Sequence, residues 1–190
     1  MAPAADAGGI VGKMRRAGLF FVVSLLATGA LVPAQKSRHD PLTPAQVEEI
    51  REAGIDPNTR ILLYAKFLNQ HMDAIKELVK EGLSRSRSVK MDDELQTLTA
   101  LTDELGSNMD QYGSRKADIR KALKKVTDDL PKWTQVIQGL PSNATFDLSR
   151  KDALESVQDL RGDATQMLTE QKAYFKEHKD QRGQERVEPD

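Results

Sequence analysis

The chain has 190 residues, no cysteine and a formal charge of −1 at neutral pH, with 30% charged and only 5% aromatic residues. Without cysteine there is no disulfide framework, no thiolate metal site and no cysteine to carry a lipid. The near-balanced charge argues against general nucleic-acid binding, which needs a strongly basic surface. Few aromatics and abundant Lys, Glu, Asp, Gln and Leu suit helices better than sheets.

Lys13, Arg15 and Arg16 precede the apolar run 18–32, GLFFVVSLLATGALV, and Val32-Pro33-Ala34 offers the small residues a signal peptidase reads. This pattern predicts a secretory signal over 1–34, cleaved after Ala34. The run is short of the roughly 20 residues a helix needs to span a bilayer, and Gly29 and Pro33 break its end, so no stable membrane anchor is expected after cleavage. Met14 is an alternative start, since MRRAGLFF opens a more ordinary signal, and Arg15-Arg16 lacks the surroundings of a twin-arginine signal. The segment carries three basic residues and Asp6, which leaves −3 on the 156 residues from 35 to 190. That length suffices for one domain with a core.

Residues 35–43 read as a flexible start. In LTPAQV, Thr43 suits a helix cap, Pro44 the first helical position, and Gln46 a bond back to the cap, with Leu42 and Val47 as a hydrophobic staple. This short helix is expected to end near Ala53, with Gly54 in the left-handed conformation. Asp56 and Pro57 then open the stretch around which the chain is organised, about 57–82. Ile61, Ala65, Leu68, Met72, Ile75 and Val79 recur at steps of 4, 3, 4, 3, 4, and Leu62, Tyr64, Phe67 and Leu78 widen the face. SRSRSVK, 84–90, lacks apolar periodicity and reads as a solvated basic connector.

The next segment is the longest. Met91, Leu95, Leu98, Thr102, Leu105, Met109, Tyr112, Lys116, Ile119, Leu123, Val126 and Leu130 keep a 4, 3 alternation that suits coiled-coil-like packing. Gly106 and Gly113 each cost roughly 1 kcal/mol against Ala in a helix, which makes Gly113-Ser114 the natural place for a break. Because the phase survives it, the pattern favours one helix, kinked at Pro131, with Trp133, Ile137 and Leu140 continuing the face. The last helix is predicted to start between Ser142 and Ser149 and run to about Lys179. Ala153, Val157, Leu160, Ala164, Met167, Leu168, Tyr174 and Phe175 supply its apolar side. Residues 180–190 read as a disordered charged tail.

The fold class is thus all-α, with one helical domain over 44–179. The favoured architecture is an elongated antiparallel bundle of three long helices plus the short N-terminal one. A continuous helix over 91–130 is roughly 60 Å long against about 39 Å for 57–82, which leaves apolar surface for a second copy to cover in a homodimer. A break near Gly113 gives a compact four-helix bundle instead. The core is expected to include Ile61, Leu68, Met72, Ile75, Leu105, Met109 and Leu123.

No catalytic, cofactor-binding or metal-ligating residue is assigned. His39, His71 and His178 have no second ligand at a useful spacing; Asp73 is two residues from His71, and such residues do not share a helix face. His71 reads as a partly buried structural histidine. Asp92-Asp93-Glu94 suits the first turn of a helix, Arg120 to Lys125 a solvated face, and Asn143-Ala144-Thr145 the glycosylation triplet. There is no phosphate-binding Gly loop and no nucleophile elbow.

LTPAQVEEIRE, 42–52, resembles the Leu-Thr-x-x-Gln motif of periplasmic chaperones and envelope-stress regulators through Leu42, Thr43 and Gln46; that family usually carries the motif twice, and here there is one copy. That resemblance implies an exported all-helical protein, often a cradle-shaped dimer. DPLTPAQVEEIREAGIDPNTRILLYAKF and ADIRKALKKVTDDLPKWTQVIQGLP are similar to a set of exported bacterial helical proteins of uncharacterised activity, which implies export and a helical fold. The expectation is a non-catalytic protein-interaction module of the periplasm or cell envelope, with protein partners. The alternative is a chaperone-like or stress-sensing protein. An enzyme is the third class, and it lacks a site.

Overall fold

The computed structural model describes residues 40–82 and 84–183. The chain divides into two units, 1–37 and 38–190, and the described residues belong to the second. The signal expected over 1–34 lies outside them, as do residues 35–39 of the loose start.

The described residues are all-helical: α1 (Pro44–Glu52), α2 (Pro57–Lys80), α3 (Arg85–Ser114), α4 (Arg120–Gln138), α5 (Asp147–Glu177) and a short 3-10 turn, Lys179–Gln181. At α1 the Thr43 hydroxyl accepts the Gln46 N–H at 3.2 Å and the Thr43 N–H donates to Gln46 Oε1 at 2.8 Å, the reciprocal cap expected of LTPAQ. The staple is different: Leu42 packs against the core, whereas Val47 is exposed and Ile50 is the buried residue of α1. Gly54 has φ +64°, as its place after the helix predicts. Asp56 opens α2 by accepting the N–H groups of Asn58 and Thr59 at 3.3 and 3.0 Å.

Residues 84–90 are not a connector. Ser84 caps α3 by accepting the Arg87 N–H at 3.4 Å, and helix begins at Arg85. Ser88 is buried, with its hydroxyl donating to Ser84 O at 3.1 Å, so a polar residue continues the core face where the sequence shows no apolar one.

The single long helix is corrected as well. α3 ends at Ser114 and α4 starts at Arg120, so four long helices replace three. Lys116 takes φ +57°, the Lys116 N–H donates to Gly113 O at 3.0 Å and the Ala117 N–H to Tyr112 O at 3.0 Å. These are the two bonds that close a helix end around a left-handed residue. Gly113 itself stays helical; a Cβ there would lie 3.1 Å from Met167 Cε, so its missing side chain lets α3 approach α5. α4 continues through Pro131.

Cross-helix bonds set the directions. Tyr64–Glu104 and His71–Glu94 make α2 and α3 antiparallel. Ile119–Gln171 and Leu140–Arg150 do the same for α4 and α5. Asn58–Ala122 and Asn69–Trp133 make α2 and α4 parallel, as Ser149–Asp92 and Ser156–Asp103 do for α3 and α5. Round the bundle the order is α2, α3, α5, α4, so residues 115–119 cross a diagonal. The core holds Ile61, Leu68, Met72, Ile75, Leu105, Met109 and Leu123, each at most 1% exposed. The seam from Met91 to Leu130 is buried throughout except at Lys116, the residue at the turn.

Candidate functional site

The diagonal crossover gathers polar contacts from α2, α5 and the residues between α3 and α4. Asn58, in the first turn of α2, donates from Nδ2 to Asp118 O at 2.7 Å and accepts the Ala122 N–H on Oδ1 at 3.1 Å. Gln171, on α5, donates from Nε2 to Ala117 O at 2.9 Å and accepts the Ile119 N–H at 3.1 Å. Two side-chain amides from diagonal helices thus satisfy four backbone groups that no helix ladder serves. Asp118 takes both the Nε and Nη2 of Arg120, at 2.7 and 2.6 Å, and the Gly183 N–H at 3.2 Å. The hydrogen bonds from Arg120 hold the Asp118 carboxyl below the usual carboxylate range.

A second network joins α2 to α4. The indole N–H of Trp133 donates to Asn69 Oδ1 at 2.9 Å, and Asn69 Nδ2 donates to Ala65 O at 2.8 Å and Asp129 Oδ2 at 3.3 Å. Asp129 is buried and also receives Lys125 and Lys132. Burial acts to raise its pKa, but the donors from Lys125, Asn69 and Lys132 outweigh it and leave it lowered. On the α2–α3 side the Tyr64 hydroxyl donates to Glu104 Oε1 at 2.6 Å, and burial together with that carboxylate pushes the phenol well above its ordinary range.

The residues weighed from sequence are dispersed. His39 lies outside the described residues. His71 is half-buried, with Nδ1 2.6 Å from Glu94 Oε2, a partner one helix away; Asp73 instead pairs with Lys76 at 2.9 Å. His178 stacks on Tyr174, centroids 4.1 Å apart, with Nδ1 2.9 Å from Tyr174 O. Asp92 receives Gln96 and Ser149, while Asp128 pairs with Lys124. The Asn143 amide donates to Ser88 Oγ at 3.1 Å and accepts the Thr145 N–H at 2.9 Å, so the triplet residue is engaged in closing the α4–α5 connection. Among the described residues no three His, Asp or Glu side chains group as a metal site.

Sequence reading missed Asn58, Asn69 and Gln171. A signal existed for the first two: they are eleven residues apart, three helical turns, on one flank of the α2 stripe. Nothing local marks Gln171. The tail expected over 180–190 is docked at its start: the Tyr174 hydroxyl donates to Gln181 Oε1 at 2.7 Å and Arg182 Nε to Phe175 O at 2.8 Å. Residues 184–190 lie outside the described residues.

Open grooves run between the helices. One of about 340 Å³ between α2 and α3 is flanked by Glu77, Glu81, Asp93 and Glu94, with one cation, Lys90. Another of about 380 Å³ between α4 and α5 is flanked by Arg120, Lys121, Lys124 and Lys172. No helix among the described residues is long and apolar enough to cross a membrane. No family model, curated protein or solved structure matches the chain.

Proposed function

We propose that the chain is a non-catalytic protein-interaction module of the bacterial cell envelope, exported through the signal read over 1–34. One observation carries the reading. The buried and half-buried polar side chains that resemble chemistry, Tyr64, Asn69, His71, Asp129 and Gln171, each bind a neighbouring element of the bundle and so brace it. The charged inter-helix grooves among the described residues are surfaces on which a partner can be recognised. Surfaces of this kind select partners by charge complementarity.

The chaperone-like cradle has less support. It rested on a continuous long helix with a seam shared between two copies, whereas the chain turns at 115–119 and buries Leu105, Met109 and Leu123 within itself. The Leu-Thr-x-x-Gln stretch is accounted for by the Thr43–Gln46 cap. Photo-crosslinking in cells that export the full chain, with the reactive residue placed at Lys121 or Glu77, tests the proposal. Discrete adducts in the envelope fraction are expected. Exclusive recovery of the chain in the cytoplasmic fraction, or no adduct from either groove, overturns it.

A further inference from the structure

The cleft between α4 and α5 is unevenly charged. Four cations, Arg120, Lys121, Lys124 and Lys172, line it against one carboxylate, Asp118. That carboxylate is already held by Arg120 and the Gly183 N–H. Lys124 reaches out to Asp128 at 2.8 Å in an exposed pair, which solvent weakens. Lys121 and Lys172 have no ion-pair partner among the described residues. The cleft therefore holds positive charge that the bundle itself does not answer.

The chain itself runs past this place. Gln181 and Arg182 are bonded to Tyr174 and Phe175, and Gly183, with φ +69°, lines the cleft. The residues that follow are QERVEPD, 184–190, in which Glu185, Glu188 and Asp190 stand against Arg186 for a net −2. Seven residues reach up to about 23 Å when extended, well beyond the ~6 Å that one helical turn of α4 puts between Arg120 and Lys124.

We propose that the cleft is a carboxylate-docking surface whose occupant is the chain's own segment 184–190, with Glu185, Glu188 and Asp190 set against Lys121, Lys124 and Lys172. Opposite net charge, an anchor at the rim and sufficient reach coincide there. An acidic segment from another protein must compete with it.

The chain has no cysteine, so Val187→Cys gives a unique attachment point for a nitroxide label in the full chain. In low salt the backbone amide signals of Lys121, Lys124 and Lys172 are expected to lose most of their intensity through paramagnetic relaxation. About 1 M salt, where the screening length is ~3 Å, restores them, and so does the pair Lys121→Glu with Lys172→Glu. Full intensity at these amides in low salt overturns the proposal and leaves the cleft to an acidic partner. Broadening that survives both salt and charge reversal also overturns it, since tether length alone then explains the proximity.

Discussion

Gln171 on α5 holds Ile119 at the start of α4: the Ile119 backbone N–H donates to Gln171 Oε1 at 3.1 Å, at a point where both residues are buried. The same side chain serves Ala117 O at 2.9 Å. Gln171→Leu keeps the volume but strands a buried donor and a buried acceptor. Each stranded group costs about 1–3 kcal/mol, so a loss of about 2–6 kcal/mol in urea unfolding is expected. A variant within about 0.5 kcal/mol of wild type, the usual range for surface changes, contradicts the clamp.

Lys116 offers a gain in stability. Its φ of +57° is a conformation that side chains disfavour and glycine adopts freely. The position closes α3 in the way a glycine commonly does. Lys116→Gly is expected to stabilise the chain by about 0.5–1 kcal/mol, the relief of backbone strain exceeding the extra freedom of the unfolded chain. Lys116→Val is expected to destabilise it. Thermal melts of the two variants separate in opposite directions from wild type if the turn has this geometry.

This turn also shows what the sequence conveys and what it hides. The 4, 3 alternation from Met91 to Leu130 identifies the buried face correctly, because α3 and α4 turn that face to one core. Periodicity reports which side of the chain is buried, not whether the backbone is continuous, so it carries on across 115–119. The signs of the break were Gly113-Ser114, where a helix is weakest, and Lys116, a charge in a seam position. Local caps were legible at Thr43 and Asp56, because their partners lie within three residues. Ser84 is hard to read as a cap because the helix it opens begins with Arg, Ser and Arg, and the first buried residue of that helix is Ser88. Partners fifty to sixty-five residues away, such as Ile119 for Gln171 or Trp133 for Asn69, depend on which helices pack together. The pairing of His71 with Glu94 was hidden for the same reason.

Asn69 and Trp133 form a coupled pair. Trp133 is 1% exposed, and its N–H has Asn69 Oδ1 as acceptor. Asn69→Leu removes that acceptor and one donor to Asp129, at an expected cost of about 1–3 kcal/mol. In a Trp133→Phe background the same substitution is expected to cost less, because no indole N–H is left unpaired. A double-mutant cycle followed by far-ultraviolet circular dichroism measures the difference. Equal costs in both backgrounds mean that the hydrogen bond contributes nothing.

Asp118 and Asp129 predict the acid limb of stability. Arg120 lowers the first, and the donors from Lys125, Asn69 and Lys132 lower the second against the opposing effect of burial. A carboxyl whose folded pKa lies below its unfolded value contributes stability that is fully present above the unfolded value, about 4. That contribution is lost as pH falls through the folded value. Stability is therefore expected to be level above about pH 5 and to decline below about pH 4. Asp129→Asn removes the titration while keeping the shape. The variant is expected to be less stable than wild type at neutral pH, with the gap closing as pH falls toward about 2. Urea midpoints taken across that range decide the matter: a gap that stays constant with pH shows that the Asp129 charge is not what Lys125 and Lys132 stabilise.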